Sequence, residues 1–203
     1  MPNALEPLLD WLERLEGSQM ADWQMLPDIG LYMDQVQTYI DRQLGLYLKD
    51  EQDRLLTAAM INNYIKDNLI PRAEGKKYHP VHLALLMITA ALKPVLSMQD
   101  LNKLLDGCRE SEDASRLYQY FLNVHSHCLK TSAADVRDIL SHLQAQDLDE
   151  QGQRTALRKL ALELSVEARM RVLVVEKLLD ALDQLAAGEK EKAEPAAEGK
   201  KKK

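Results

Sequence analysis

Residues 56–105 read LTAAMINNYIKDNLIPRAEGKKYHPVHLALLMITAALKPVLSMQDLNKLL and carry several start and stop signals for short helices. Thr57 predicts the start of the first helix, because a threonine oxygen accepts a hydrogen bond from a free backbone N–H of the first turn. Asn68 tolerates the positive φ with which helices often end, and Pro71 prevents the helix from continuing. These signals predict a helix over residues 58–67. Its outward face would carry a small, amide-rich and basic set of residues: Ala58, Ala59, Asn62, Asn63 and Lys66.

A short basic segment, RAEGKKY at residues 72–78, follows this helix. It is too short for a stable helix, but its length and composition suit two short strands that turn near Gly75. Three of its side chains are cationic: Arg72, Lys76 and Lys77. We therefore predict a small two-stranded wing with a basic surface.

Two more helices follow the basic segment. Pro80 suits the first turn of a helix, and His79 precedes it as a weak cap. Ser97 and Asp100 have the spacing of a capping box, which predicts a last short helix that Gly107 ends. The helix that begins at Pro80 is expected to turn one apolar stripe toward the core: Val81, Ala84, Leu85 and Ile88.

The order of these elements resembles the winged helix-turn-helix DNA-binding domain of the MerR type. The matching features are a capped entry, an aromatic-rich helix, an exit, a wing and a Ser-capped start, at residues 56–57, 60–64, 69–71, 75–78 and 96–98. Upstream, LPDIGLYMDQV at residues 26–36 resembles a bacterial family of unknown function, the YkrK type, which is described as MerR-like. Together the resemblances cover residues 26–106.

The resemblance implies a mainly α, MerR-like transcriptional regulator whose helix over residues 58–67 enters the major groove of duplex DNA. Thr57 and Tyr64 would touch phosphate, whereas the cations of the wing would hold the flanking backbone. Tyr64 and Tyr78 have an alternative role as packing residues of the core or the wing. The implied DNA-binding residues are Thr57, Ala58, Asn62, Asn63, Tyr64, Lys66, Arg72, Lys76, Lys77 and Tyr78.

The chain departs from the MerR pattern in its recognition helix. Asn62, Asn63 and Asn68 stand where MerR-type proteins carry an arginine, an aromatic residue and a glycine. Asparagine is a poor helix former, but its amide can make two hydrogen bonds to adenine, which favours base reading by Asn62 or Asn63. The first helix of the motif, around residues 33–40, also lies far from Thr57, so a longer helix or an inserted turn is needed between them.

Composition narrows the class of protein. The chain has 203 residues, of which 46% are apolar and 5% aromatic, and this predicts a mostly helical protein with a substantial core. No stretch approaches the roughly 18 apolar residues of a membrane span, and residues 1–6 lack the order of a secretion signal, so we expect a cytoplasmic location without a membrane partner. Cys108 and Cys128 are expected to be free thiols. The sequence contains no phosphate loop, nucleophile elbow or HExxH pattern, so we expect no enzyme activity, catalytic residue or cofactor.

The net charge of −6 opposes DNA binding, because contacts to phosphate supply much of the affinity of DNA-binding proteins. Residues 57–78 nevertheless hold four cationic and two acidic side chains, a local balance of +2. One copy with so small a patch would bind weakly and would be sensitive to salt. We therefore expect a homodimer that presents two copies of the helix to one DNA site.

The chain divides into four predicted regions. Residues 1–25 carry an N-terminal amphipathic helix, and residues 26–107 form the MerR-like domain. Residues 108–187 form a C-terminal helical region. Residues 188–203, rich in Lys, Glu, Ala and Gly, are expected to be disordered.

In the C-terminal region residues 111–129 and 132–146 predict two helices, the second opened by Ser132 in a capping box. Residues 153–185 predict one long helix, or two with a joint near Ser165. The apolar spacing of this segment suits an antiparallel helix pair between two subunits, or equally a helical bundle within one chain.

Histidines and a cysteine supply one further candidate site. His125, His127 and Cys128 are metal-ligand types, but on a helix His127 points away from the other two, so His125 is interpreted as an ordinary partly buried residue and no metal site is expected. His79 and His82 are interpreted as a helix cap and a surface residue.

Two alternatives to DNA binding stay open from the sequence. The acidic balance and the missing arginine suit a protein-interaction or ligand-sensing module that retains the winged-helix fold. An unidentified small-molecule effector of the C-terminal helices is the other, as in MerR-type effector domains.

Overall fold

The computed structural model describes residues 5–48, 50, 53–146 and 148–193, with side chains described as far as residue 185. Over these residues the protein is mainly α, as predicted, and contains no strand. Two short 3-10 turns lie at Trp23–Met25 and Gly45–Tyr47. The helices are α1 Glu6–Glu16, α2 Met33–Gln43, α3 Ala58–Lys66, α4 Pro80–Leu92, α5 Met98–Leu105, α6 Ser111–Ala145 and α7 Glu150–Ala193.

Helix α3 begins and ends where the sequence predicts. The Thr57 hydroxyl oxygen accepts a hydrogen bond from the Met60 N–H at 3.2 Å. At the other end Asn68 adopts a φ of 54°, and the Leu69 N–H donates to the Tyr64 carbonyl at 2.9 Å. This arrangement is a Schellman motif, which satisfies a carbonyl that the helix leaves free. The predicted cap and the predicted left-handed stop are both confirmed.

Helix α5 follows the same pattern. The Ser97 hydroxyl oxygen accepts a hydrogen bond from the Asp100 N–H at 3.1 Å, and the Ser97 O–H lies 2.6 Å from the Asp100 carboxylate. Gly107, two residues after the helix, adopts a φ of 74°. The predicted cap and stop of α5 are therefore confirmed.

Helix α4 lies at the centre of the main core, between α2 and α6. Every side chain from Leu83 to Ala90 is buried, and Leu83 to Met87 are completely inaccessible. The prediction that α4 buries only one apolar stripe is therefore wrong, because its buried surface extends to all sides of the helix. A helix that is apolar on all sides is buried on all sides, and this is the position that α4 occupies.

The link between α2 and α3 contains both a longer helix and an inserted turn, the two alternatives that the sequence predicts. Helix α2 extends to Gln43, and a 3-10 turn at Gly45–Tyr47 follows it. The chain then returns along α2, where the Asp41 carboxylate accepts a hydrogen bond from the Leu55 N–H at 3.1 Å. These contacts fix where α3 begins relative to α2.

Helix α6 runs without a break from Ser111 to Ala145, so the predicted second helix start at Ser132 is wrong. Ala133, the next residue, is completely buried in a second apolar cluster with Leu12 of α1 and Leu140. Packing against α1 holds this part of the chain in the middle of a helix. A tertiary contact has therefore overridden a local capping signal.

Helix α7 is one helix, the first of the two alternatives that the sequence left open. Leu160 packs in the second cluster and Leu179 in the main core, so α7 runs antiparallel to α6. It continues to Ala193, into the stretch expected to be disordered, whereas residues 194–203 lie outside the described residues. No helix in the described part of the chain is long and apolar enough to cross a membrane.

Candidate nucleic-acid interface

The basic segment after α3 forms a tight turn. Gly75 and Lys76 adopt φ values of 56° and 65°, the two positive values of a type I′ turn. The Lys77 N–H donates to the Glu74 carbonyl at 2.9 Å, and the Glu74 N–H donates back to the Lys77 carbonyl at 3.1 Å. The turn near Gly75 is confirmed, and it places the side chains of Lys76 and Lys77 in solvent.

The predicted two-stranded wing is wrong. In the described part of this region the only pairings are two isolated bridges, between Glu74 and Lys77 and between Leu31 and Tyr78. The backbone of Tyr78 exchanges hydrogen bonds of 2.8 and 2.9 Å with that of Leu31, so the second arm of the turn pairs with the segment before α2. The next hydrogen-bonded pair of a wing would join Arg72 and His79, but the His79 N–H donates to His82 Nδ1 and the Arg72 carbonyl lies 3.3 Å from His82 Nε2, so the two arms pair no further.

Gly30 permits the close approach between that segment and the turn. A Cβ atom on Gly30 would lie 2.7 Å from the Lys77 Cβ, a distance that side chains do not adopt. The Lys77 ammonium also lies 5.9 Å from the centre of the exposed Tyr32 ring. Gly30 and Tyr32 are absent from the predicted site, although a lone glycine between Ile29 and Leu31 is a signal for close backbone contact.

The side chain of His82, in α4, contacts both ends of the basic segment. Its Nδ1 accepts a hydrogen bond from the His79 N–H at 3.0 Å, which leaves Nε2 protonated and able to donate to the Arg72 carbonyl at 3.3 Å. Its ring also meets the Tyr78 ring edge-on at 5.5 Å between centres. The interpretation of His82 as a surface residue is therefore wrong. Burial lowers its pKa below the ordinary value, so the neutral ring is favoured.

The outward face of α3 carries the residues that the sequence assigns to it. Asn62, Asn63 and Lys66 are exposed, and Ala58 is half-buried. Thr57 is exposed as well, but its hydroxyl oxygen is engaged in capping the helix. The helix therefore offers two amides and one ammonium to a ligand.

The two tyrosines of the predicted site lie in the main core. Tyr64 and Tyr78 are each 4% exposed, so their rings pack against apolar neighbours and do not face solvent. The Tyr64 hydroxyl is buried without a hydrogen-bond partner in the described part of the chain, and burial raises its pKa. Of the two roles considered for these residues, the structure places both in the packing role.

The cations of this surface are not neutralised by the chain itself. Elsewhere cations pair with acids, as where the Lys103 ammonium lies 2.7 Å from the Asp183 carboxylate. Among the described residues, the four exposed cations of α3 and the basic segment form no such ion pair, and exposed cations on α6 and α7, such as Lys130, Arg158 and Lys159, are unpaired as well; the four of this surface are Lys66, Arg72, Lys76 and Lys77. Their charge is available to an anionic partner.

The histidines of α6 form a different arrangement. The Tyr47 hydroxyl lies 2.8 Å from Nε2 of His125, and the Phe121 ring lies 5.5 Å from the His125 ring. Burial lowers the pKa of His125, and its interpretation as a partly buried residue is confirmed. His127 and Cys128 are exposed. No group of three or more His, Cys, Asp or Glu side chains in the described residues is placed to hold a metal ion.

A groove of about 520 Å³ opens where α6 and α7 meet. Its walls are mainly apolar, from Leu143, Leu148 and Leu160, and Lys159 and Glu163 lie at its edge. It is a concave surface of the size that small ligands occupy, and it lies on helices that the basic surface does not use.

The fold thus defines a mainly α protein in which a capped helix, α3, and the basic turn that follows it in sequence are both exposed. Residues 21–121 match the family described as Domain of unknown function (DUF1836). The expected likeness to a family of unknown function is confirmed in this form, over a range that includes the predicted residues 26–106. No curated protein and no solved structure matches the chain.

Proposed function

We propose that this protein binds duplex DNA as a homodimer and regulates transcription in the manner of a MerR-like regulator. Helix α3 would enter the major groove, while the turn at Gly75 would lie on the flanking backbone. The observation that carries the proposal is the set of four exposed cations on α3 and in the basic segment that follows it, together with the exposed amides of Asn62 and Asn63 on α3. Phosphate contacts of this kind supply the affinity that base contacts then direct to a sequence.

The residues of the surface divide into three roles. Asn62 and Asn63 are the candidates for reading bases, because an amide both donates to and accepts from adenine. The four cations contact phosphate. Thr57 holds the start of α3, and the buried Tyr64 and Tyr78 hold the helix and the turn on the core.

The charge of the protein sets how this surface can act. A chain with a net charge of −6 repels DNA over most of its surface, so four cations give one copy a weak and salt-dependent affinity. Two copies on one DNA site would double the phosphate contacts. Their α3 helices would then lie about one DNA turn, roughly 34 Å, apart.

Binding to the DNA upstream of its own coding sequence, titrated at two or more salt concentrations, tests the proposal. The Lys76→Ala, Lys77→Ala double variant removes two cations from each copy, so the slope of log K against log salt falls by about 0.9 for each phosphate that is no longer neutralised. Arg158→Ala with Lys159→Ala is the matched control, because it removes two exposed cations from α7. The absence of a salt-dependent complex, or equal effects in the two double variants, overturns the proposal.

Base reading is tested separately from phosphate contact. Asn62→Ala and Asn63→Ala are each expected to leave nonspecific DNA binding unchanged, and the one that reads a base weakens binding to the specific site by about 1–3 kcal/mol. Asn123→Ala, an exposed asparagine of α6, is the control. If both α3 variants bind the specific site as the parent protein does, the amides do not read bases.

A second candidate function is a helical protein-interaction or ligand-sensing module that does not bind DNA. The net charge of −6 and the groove between α6 and α7 favour it. A computed surface potential that is negative around Asn62 and the turn would support this module. A titration that shows no DNA complex at low salt would also support it.

A further inference from the structure

The outer side of α7 carries an apolar ridge in which every fourth residue is a large aliphatic side chain or methionine. Each of its side chains is between 49% and 65% exposed. We call this set the α7 ridge: Leu162, Val166, Met170, Val174, Leu178 and Leu182. Residues four apart are neighbours along a helix but are offset by about 40° around it, so the ridge is a continuous apolar row that winds about half way around α7.

The middle of the ridge lies opposite the side of α7 that packs on the protein. Val175 and Leu179 of α7 contact the main core, and Leu179 is buried. At 100° per residue, Met170 and Val174 point to the other side of the helix. Helix α7 is thus apolar on two opposite sides, and only one of them is covered.

The middle of α7 has little support from its own chain. Every residue from 161 to 171 is exposed, so no packing within the described chain stabilises this part of the helix. The undescribed stretches of this sequence offer no apolar cover, because residues 194–203 read EPAAEGKKKK and the other undescribed stretches have four residues or fewer each.

We infer that the α7 ridge is covered by the same ridge of a second copy of this chain. Turned end for end, the ridge matches itself: Leu162 comes level with Leu182, Val166 with Leu178, and Met170 with Val174. The same reversal brings Glu167 of one copy level with Lys177 of the other, which adds a pair of opposite charges at each end of the contact. A partner of another kind would have to provide this pattern independently.

The spacing of the ridge also fixes how the two helices meet. Rows of residues four apart interdigitate when the helices cross at about −50°, whereas a nearly parallel pair needs alternating spacings of three and four. The contact is therefore centred between Met170 and Val174. Leu162 and Leu182 lie at its edges. This geometry deepens the homodimer of the proposed function, although it does not depend on DNA.

Sedimentation equilibrium of the full chain, over a range of protein concentrations, tests the inference. The parent protein is expected to dimerise, and Met170→Glu with Val174→Glu is expected to raise the dimer dissociation constant at least about 30-fold. Leu162→Glu, at the edge, has a smaller effect. The matched control is Ser165→Glu with Gln184→Glu, which adds two charges at exposed positions of the same helix that lie off the ridge.

A parent protein that is monomeric at every concentration overturns the inference. The inference is overturned equally if that monomer binds lipid vesicles instead of a second copy. A dimer that the Met170→Glu, Val174→Glu variant forms as readily as the parent also overturns it. Circular dichroism of each variant shows that a loss of dimer is not a loss of fold. DNA titration of the same samples separates the two proposals, because a ridge-dependent dimer that binds no DNA overturns only the proposed function.

Discussion

Helices α4 and α7 both carry apolar residues on more than one side, but their own chain encloses only α4. In α4 every side chain from Leu83 to Ala90 is buried. In α7 the apolar residues Leu162, Met170 and Leu178 are each more than half exposed. The comparison shows that apolar composition alone does not tell a helix that is buried on all sides from one that keeps an exposed apolar side, because the surrounding elements of the fold decide which one forms.

The difference predicts that the two helices contribute to different free energies. Side chains of α4 contribute to the stability of each copy, whereas the ridge of α7 contributes to the association of copies. A change in α4 should therefore alter the free energy of unfolding at any protein concentration. A change in the ridge should alter the free energy of unfolding only at protein concentrations at which two copies associate.

The largest expected effect is in α4. Leu85→Ala removes a completely buried side chain and should lower the free energy of unfolding by about 2–5 kcal/mol, because it leaves a cavity. Leu178→Ala, from the ridge, should cost less than about 1 kcal/mol at low protein concentration. Urea unfolding at two protein concentrations measures both. Equal losses at low concentration would remove the distinction between the two helices.

The next largest effect is expected where the segment before α2 packs against the turn at Gly75. Gly30→Ala puts a Cβ atom 2.7 Å from that of Lys77, so the segment before α2 must move away from the turn, at a cost of about 1–3 kcal/mol. Gly45→Ala is the control, because a Cβ atom there meets nothing within 4 Å. Thermal unfolding of the two variants measures the difference. If they unfold alike, the turn is not held by this contact.

A smaller effect is expected from the start of α3. Thr57→Ala removes the hydroxyl oxygen that accepts from the Met60 N–H, which should cost about 1 kcal/mol, and Thr57→Ser should restore it. Thr131→Ala is the control, because the Thr131 hydroxyl donates to a carbonyl inside α6 and caps nothing. Chemical unfolding of the three variants provides the measurement. A Thr131→Ala loss as large as that of Thr57→Ala would show that capping is not the cause.

The smallest effect depends on pH. The pKa of His82 is lowered from 6.5 by burial, so below about pH 6.5 the unfolded chain takes up a proton that the folded protein does not. The free energy of unfolding should therefore fall as the pH falls from 6.5 to the lower folded pKa. Its slope against pH should not exceed the value that corresponds to the uptake of one proton on unfolding. Above pH 6.5 this contribution is constant.

His82→Gln should remove that part of the pH dependence. His125, whose pKa burial also lowers, contributes in the same direction, so His125→Gln serves as the comparison and shows how much of the slope belongs to each. The free energy of unfolding of the parent and both variants is measured between about pH 5 and pH 8. An unchanged slope in His82→Gln would mean that the His82 ring is not held neutral by the fold.

The parts of the fold that the sequence predicts are those that local chemistry determines. The caps at Thr57 and Ser97 and the stops at Asn68 and Gly107 each involve residues within one or two helical turns. Because the relevant atoms are neighbours in the chain, residue type and spacing are enough to place them. The exposed face of α3 follows from the same short-range periodicity.

The parts that the sequence fails to predict depend on distant partners. Ser132 has the local pattern of a helix start, but α1 packs on the next residue and keeps α6 continuous. The wing fails as a prediction because His82 of α4 takes the Arg72 carbonyl and the His79 N–H, which would form the next pair of the two strands. His82 is hidden for a similar reason, since its partners lie at both ends of the basic segment.

The second apolar cluster has a consequence for biosynthesis. Leu5, just before α1, and Leu12 within it are released early by a ribosome, yet their partners Ala133 and Leu140 come more than 100 residues later. Throughout that interval the apolar side of α1 has no cover from its own cluster, so it is a natural target for chaperones and for premature association. Joining α1 to α6 closes a long stretch of chain, and long-range contacts of this kind are expected to slow folding.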